Sequence, residues 1–161
     1  MSLEKYDSDM YNAQSILTEY LSVTGSTTDF INYHSNVDMK VKVLEQLVKQ
    51  KLIIRKSILY TRSQQQPILF ASGVFYINSI KKRLVEKLIE GKLPVGEIFG
   101  NNTLKKENEI VKETNDPDLL EQLKTTEPEC CIRKFDLVYG RNRIAVLTEA
   151  VNSETLQRIF A

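Results

Sequence analysis

The stretch LIIRKSILYTRSQQQPILFASGVFYI, residues 52–77, indicates the fold class most directly. It contains two runs rich in β-branched and aromatic residues, 52–60 and 68–77, on either side of a polar segment over 62–67 that ends in a proline. Such runs, separated by a short polar loop, are typical of two antiparallel strands. The stretch therefore predicts a β-hairpin.

A second hairpin is predicted nearer the C-terminus. Its strands cover 130–139 and 143–151, and its turn is Gly140-Arg141-Asn142. The triplet Ile-Arg-Lys occurs at the start of both hairpins, at 54–56 and at 132–134. This echo suggests two related hairpins with helical segments between them.

Two further strands and three helices complete the predicted elements. Apolar and charged residues alternate over 37–43, which is the period of a strand with one solvent-exposed face, and 107–112 is also predicted as a strand. Apolar residues recur at helical spacing over 9–22 and between Asn78 and Gly91. An aspartate that can cap a helix, followed by a proline, predicts a short helix over 118–124.

The order of these elements favours an antiparallel sheet. Hairpins and long excursions connect the predicted strands, whereas a doubly wound parallel sheet needs a helical crossover between neighbouring strands. The predicted fold class is α+β, with a single six-stranded antiparallel sheet and helices packed on one face. Length and composition predict that residues 1–161 form a single domain.

Composition narrows the classes of function. The 22 Lys and Arg residues nearly balance the 21 Asp and Glu residues, so the chain lacks the basic signature of a nucleic-acid binder. We expect no membrane span and no secretory signal, and therefore a cytoplasmic protein. The only cysteines are the adjacent pair Cys130 and Cys131, and His34 is the only histidine, so we expect no metal site and no other cofactor. The expected state is a monomer or a homodimer.

Three charged residues lie in otherwise apolar strands. Arg55, Arg133 and Glu149 each share a predicted strand face with apolar side chains. A charge taken out of water needs a partner of opposite sign or a polar ligand. Two interpretations are open. The strand pattern alone favours a structural one, in which each charge reaches solvent at a strand end or an Arg–Glu bridge closes the sheet. The other is a guanidinium and carboxylate site for a ligand.

Several short motifs, taken in order, resemble the chorismate pyruvate-lyase family, especially its short one-domain archaeal and bacterial branch. The resemblance covers roughly residues 15–152. It implies a chorismate lyase-like six-stranded sheet and the conversion of chorismate to 4-hydroxybenzoate and pyruvate by a cofactor-independent elimination. The motifs are Gly25-Ser26-Thr27-Thr28, Ile54-Arg55-Lys56, Leu93-Pro94-Val95-Gly96, Arg133 and Leu147-Thr148-Glu149.

The resemblance also implies site residues. Arg55 matches the arginine that binds the ring carboxylate, and Glu149 matches the acid that contacts the ring 4-hydroxyl, so these two are the predicted catalytic residues. Arg133 is a candidate for the enolpyruvyl carboxylate, with the structural bridge left open as the alternative. The other predicted substrate contacts are Ser26, Thr27, Val95 and Gly96.

Two non-catalytic alternatives remain. The resemblance extends to effector-binding domains of some bacterial transcription regulators, so a non-catalytic sensor of an aromatic carboxylate is the main alternative. Such domains normally follow a DNA-binding module, and the segment before Arg55 is too short for a winged helix, which favours the enzyme. The other alternative is an interaction domain in which the Arg and Glu side chains are structural.

Overall fold

A six-stranded antiparallel sheet is the centre of the described part of the molecule. The structure, a computed structural model, describes residues 17–21, 27–35, 37–63, 65–100 and 103–160. The strand order across the sheet is β1-β2-β3-β6-β5-β4. The strands are β1 (Met39–Lys49), β2 (Leu52–Thr61), β3 (Pro67–Tyr76), β4 (Leu104–Thr114), β5 (Cys130–Tyr139) and β6 (Asn142–Val151).

The sheet consists of two similar halves that meet at its centre. Each half is a three-stranded meander, β1-β2-β3 or β4-β5-β6, and the last strand of each lies at the centre, where β3 pairs with β6. The middle strands of the two halves are β2 and β5, which carry the two Ile-Arg-Lys triplets. Both predicted hairpins are confirmed.

Most of the helices cover one face of the sheet, called the inner face here, whose strand residues include Ile53, Phe75, Phe135 and Leu147. Two apolar clusters fill the space between this face and the helices α1, α2, α3 and α5. No described helix combines the length and apolar composition needed to cross a bilayer. The helices are α1 (Thr27–His34), α2 (Lys82–Glu90), α3 (Val95–Phe99), α4 (Pro117–Leu123) and α5 (Ser153–Phe160).

One helix packs on the opposite face. Leu123 of α4 lies in a small cluster with Phe70, Ile132 and Ala150, whose side chains point away from the inner face because they alternate with the inner-face residues along their strands. The fold class is confirmed, but the helices are therefore not confined to one face. The apolar side chains of α4 need a surface to bury against, and the outward residues of the central strands provide it.

Several elements differ from the predicted ones, among them β1 and β4, which extend beyond the strands predicted over 37–43 and 107–112. The helix predicted to be capped by Asn78 or Ser79 begins later: a 3₁₀ turn over Ile77–Ser79 and the extended residue Ile80, whose side chain lies in the core, precede α2. The segment after α2, which contains Gly91, Gly96 and Gly100, includes the short helix α3. The helix α5 was not predicted. Of the predicted helix over 9–22, residues 17–21 are helical and the rest lie outside the described residues.

Candidate functional site

A pocket lies between the inner face and the first residues of α1 and α3; we call it the Arg55 pocket. Its empty space measures about 540 Å³, a figure that includes open solvent at its mouth. Thr27 and Thr28 of α1 and Pro94 and Val95 at the start of α3 cover it. The apolar side chains of its walls are Val41, Leu59, Leu69, Phe75 and Leu147.

Arg55 is the cation of this pocket. Its side chain projects from β2, and the residue is only 2% exposed. Nη2 donates a long hydrogen bond of 3.4 Å to the carbonyl oxygen of Leu93, while Nε and Nη1 have no hydrogen-bond partner among the described residues. Burial lowers the pKa of Arg55, because the charged guanidinium has lost water. A buried donor without an acceptor is costly, so this side chain is poised for an anion.

Gly73 explains why Arg55 has no partner on the neighbouring strand. The two residues face each other across β2 and β3. A Cβ atom at Gly73 would come within 2.1 Å of Cδ2 of Leu147, so the close approach of that side chain requires glycine here. On the β3 side, the position opposite Arg55 thus offers no side chain that could neutralise the guanidinium. On the β1 side Arg55 pairs with Gln46, which carries no charge.

Glu149 is the acid of the pocket, and it is held by three donors. Its Oε1 accepts hydrogen bonds from Tyr20 Oη at 3.1 Å, Thr27 Oγ1 at 3.0 Å and Arg133 Nη2 at 3.1 Å. Burial first, and then the nearby carboxylate of Glu149, raise the pKa of Tyr20 well above its usual value, so its hydroxyl stays a donor. The cluster joins β6 to residues 17–21 and to the start of α1.

Arg133 lies on β5 directly opposite Glu149 and is fully buried. Nη1 donates to the carbonyl oxygen of Tyr20 at 2.9 Å, and the guanidinium carbon lies 4.5 Å from the centre of the Tyr20 ring. Burial acts to lower the pKa of Arg133, but Tyr20 and Glu149 raise it above its usual value. Arg133 contacts Glu149 and is not among the residues that line the Arg55 pocket. This is the structural bridge that the strand pattern left open.

The structure brings most of the predicted site residues together. Gly96 lines a second cavity that adjoins the pocket, and Ser26 lies outside the described residues. The ligand contacts assigned to these residues stay predictions. The predicted residues that line the Arg55 pocket are Thr27, Arg55, Val95 and Glu149.

Two residues of the site were not predicted. Tyr20 was assigned only to the apolar stripe of a helix, and nothing in that pattern reveals its hydrogen bond to Glu149. Lys106 of β4 is 7% exposed and lines the adjoining cavity. Its Nζ lies 5.3 Å from the centre of the Phe135 ring, and burial lowers the pKa of Lys106 to about 8. The site therefore contains the buried amino group of Lys106 in addition to the buried guanidinium of Arg55.

Solved structures of several bacterial proteins have a similar fold. YydK from Bacillus subtilis, described as a possible transcriptional regulator, has a TM-score of 0.50 at 11% identity, over 74% of this chain and 60% of its own. The ligand-binding domain of a protein assigned to the GntR family of transcriptional regulators, from Bordetella bronchiseptica, has a TM-score of 0.52 at 13% identity, over 71% and 83%. PhnF from Mycobacterium smegmatis has a TM-score of 0.53 at 8% identity, over 83% and 66%.

The fold is chorismate lyase-like. At these identities the similarity shows the fold alone, and the chain spans 60% of the length of YydK. No protein-family model and no curated protein matches the sequence. The chorismate lyase-like fold thus confirms the predicted fold class, while membership of the chorismate lyase family has no support at the level of sequence.

The prediction of an enzyme is wrong. Of the similar structures reported above, YydK is described as a possible transcriptional regulator and the Bordetella bronchiseptica structure is the ligand-binding domain of a protein assigned to such regulators; neither is described as a lyase. Glu149, one of the two predicted catalytic residues, is engaged within the fold, because its Oε1 accepts three hydrogen bonds and pairs with the buried Arg133.

Proposed function

We propose that this domain is a non-catalytic sensor that binds a small organic carboxylate in the Arg55 pocket. The observation that carries the proposal is Arg55 itself, which is buried, lines a pocket and keeps two donor nitrogens without a partner among the described residues. A bound carboxylate would accept hydrogen bonds from a planar guanidinium in two places at once. It would also remove the cost of leaving that charge unpaired.

The walls of the pocket indicate what the rest of the ligand is like. Leu59, Phe75 and Leu147 present apolar surface on several sides of Arg55. The hydroxyl groups of Ser57 and Thr28 also line the pocket. A compact apolar frame with one acidic group and a polar substituent matches this lining, and an aromatic carboxylate such as 4-hydroxybenzoate has that shape.

The symmetry of the sheet gives the proposal independent support. Arg55 and Arg133 occupy equivalent places on the middle strands of the two halves. On the neighbouring strand Arg133 faces Glu149, whereas Arg55 faces Gly73. One guanidinium is therefore neutralised within the fold, and the other is left beside a pocket.

The comparisons favour sensing over conversion. The Bordetella bronchiseptica structure is a ligand-binding domain of a protein assigned to transcriptional regulators, and its fold is the fold of this chain. A domain of that kind needs a pocket that recognises a small molecule but needs no group that breaks a bond. Arg55 and the apolar walls meet the first requirement.

The test is a calorimetric titration of the protein with 4-hydroxybenzoate and with benzoate. We expect wild-type protein to bind at least one of them, and Arg55→Ala to weaken that binding by about 10- to 100-fold, since a hydrogen bond to a charged group contributes about 1.5–3 kcal/mol. Arg55→Lys should recover only part of the affinity, because lysine keeps the charge but lacks the planar pair of donors.

The matched control is Arg143→Ala, which removes an exposed arginine that bonds to Tyr76. Its affinity should equal that of wild-type protein. Circular dichroism establishes that each variant is folded. Unchanged affinity in folded Arg55→Ala would remove Arg55 from the site, and absence of binding to both acids by wild-type protein would contradict an aromatic carboxylate as the ligand.

A further inference from the structure

Lys106 faces the same side of the sheet as Arg55. It pairs with Leu137 of β5, an inner-face residue that is 3% exposed. Along β4 its burial alternates with that of Lys105, which is exposed. The alternation ends just beyond, where the register between β4 and β5 shifts between Glu107 and Ile110. Lys106 is thus the last residue of β4 directed inward before the irregular part of the strand.

The cavity lined by Lys106 adjoins the Arg55 pocket. Leu147 and Glu149 form part of the floor of both, and Thr27, Thr28 and Val95 form part of the cover of both. These two adjoining cavities, which share five lining residues, are together called the groove here. The groove has Arg55 in one part and Lys106 in the other.

The strand order fixes how far apart the backbones of the two residues lie across the sheet. Arg55 is on β2 and Lys106 on β4, which are four strand positions apart. At about 4.8 Å between neighbouring strands, this lateral distance is about 19 Å. Both residues line the groove, one in each of its two parts.

We propose that Lys106 is a second anion-binding position, so that the preferred ligand of this groove carries two acidic groups at the ends of an apolar frame. This inference rests on the proposed function, because it extends the ligand that Arg55 holds. The frame would lie over Leu147, between the two cations. Phe135 beneath Lys106 would keep the second acidic group out of bulk water, where such a contact is stronger.

The first test needs only wild-type protein. Calorimetry compares each of three diacids, terephthalate, adipate and suberate, with its matched monoacid, benzoate, hexanoate or octanoate. We expect at least one diacid to bind about 10-fold or more tightly than its monoacid, the scale of one added hydrogen bond between charged groups. If no diacid binds more tightly while the monoacids bind, the role of Lys106 is overturned and the proposed function of Arg55 stands.

The second test assigns the preference to Lys106. Lys106→Met keeps an unbranched side chain in the cavity but removes the charge, and it should abolish the advantage of each diacid over its matched monoacid. Lys105→Met, a change at the exposed neighbour, is the matched control and should keep the advantage. A diacid preference that survives in folded Lys106→Met would overturn the assignment.

A measurement of proton uptake keeps the inference testable if Lys106→Met does not fold. Burial lowers the pKa of Lys106 to about 8, Glu149 and Glu109 act to raise it, and Arg133 acts to lower it. Above that pH the amine is largely neutral, so an acidic group bound beside it should draw in a proton. Calorimetry in buffers of different ionisation enthalpy, at a pH above this pKa, should show that the protein takes up more protons when it binds a diacid than when it binds the matched monoacid. Equal uptake would overturn the inference, and no binding of any acid would instead contradict the proposed function.

Discussion

Arg55 and Arg133 show how position decides what a buried arginine does. Each is the central residue of an Ile-Arg-Lys triplet on the middle strand of its half of the sheet, and each is almost completely buried. Arg133 donates to Glu149 and to the carbonyl oxygen of Tyr20, so it holds the helical residues 17–21 against the sheet. Within the part of the chain that the structure describes, the hydrogen bond of the Arg55 guanidinium is a long one to Leu93. Arg133 therefore stabilises the fold, and Arg55 is the arginine to which we assign the proposed ligand.

Glu149 gives a prediction about stability. Glu149→Gln removes the negative charge beside the fully buried Arg133, so we expect the free energy of unfolding to fall by about 3 kcal/mol, the lower end for breaking a buried ion pair, because Tyr20 and Glu109 still contact the arginine. Urea denaturation measures the change.

A double variant and a control variant accompany this measurement. Replacing both residues in the double variant Glu149→Gln, Arg133→Met should recover much of the loss, because the fully buried cation is then absent. Glu121→Gln, on the exposed side of α4, is the matched control and should be neutral. Wild-type stability in Glu149→Gln would show that the bridge does not contribute to the stability of the fold.

Sequence reasoning found the residues of the site that break an apolar alternation and missed those that do not. Arg55 and Glu149 each lie among apolar residues of a strand, so a charge there is conspicuous. Lys106 lies in the run Lys105-Lys106-Glu107, in which charges occupy both faces of the strand. Its inward direction depends on pairing with Leu137, and no local pattern encodes that pairing.

Among the elements, α5 is anchored by an acid near its start. Glu154 accepts hydrogen bonds from the hydroxyl and backbone N–H of Thr126 and from the hydroxyl of Thr125. Asn152 caps the same helix, since its Oδ1 accepts from the backbone N–H of Thr155. The loop after α4 is thereby fastened to the helix that follows β6.

Glu154 gives a prediction about pH. The hydrogen bond from Thr125, and then those from Thr126, lower the pKa of Glu154 below its ordinary value of 4.5, although burial opposes the shift. A depressed pKa means that the carboxylate stabilises the fold above pH 4.5 and that this contribution is lost as the pH falls through the lowered value. Glu154→Gln should therefore be less stable than wild-type protein at neutral pH and should lose less stability on acidification.

Urea denaturation at a series of pH values measures both effects. Glu86→Gln, an exposed change on α2, is the control and should follow the wild-type curve. A Glu154→Gln curve parallel to the wild-type curve throughout the acid range would contradict the prediction.

Among the secondary-structure elements, the strands were easier to predict from sequence than the helices. The two hairpins have long apolar runs and polar turns, so local pattern and final structure agree. The helix α5 was missed although Asn152, Ser153 and Glu154 form a capping signal, because the preceding strand pattern runs up to Val151 without a glycine or proline. The position of α4 on the opposite face follows from tertiary packing with Phe70 and Ile132, which its own sequence does not specify.

For the whole molecule, ligand binding and stability are linked. A ligand that binds only the folded chain at 100 times its dissociation constant adds about 2.7 kcal/mol to the free energy of unfolding. For a domain of this size that corresponds to a rise in Tm of about 5–10 °C. We expect this rise with a carboxylate that calorimetry shows to bind, and a smaller rise with Arg55→Ala at the same ligand concentration, where a 10- to 100-fold weaker affinity leaves about 0.4–1.4 kcal/mol of stabilisation. A thermal scan that stays flat for wild-type protein under saturating ligand would contradict a site that exists only in the folded state.

The central pairing of β3 with β6 has a consequence for the order in which the site is made. The Arg55 pocket takes Arg55 from β2, Ala71 from β3 and Glu149 from β6, so its floor spans both halves of the sheet. During synthesis the first half leaves the ribosome well before β6, the last strand of the second half, is available. Until β6 joins β3 there is no pocket for a ligand to enter. A ligand therefore cannot guide the early folding of the chain, and its effect on the finished molecule is to slow unfolding.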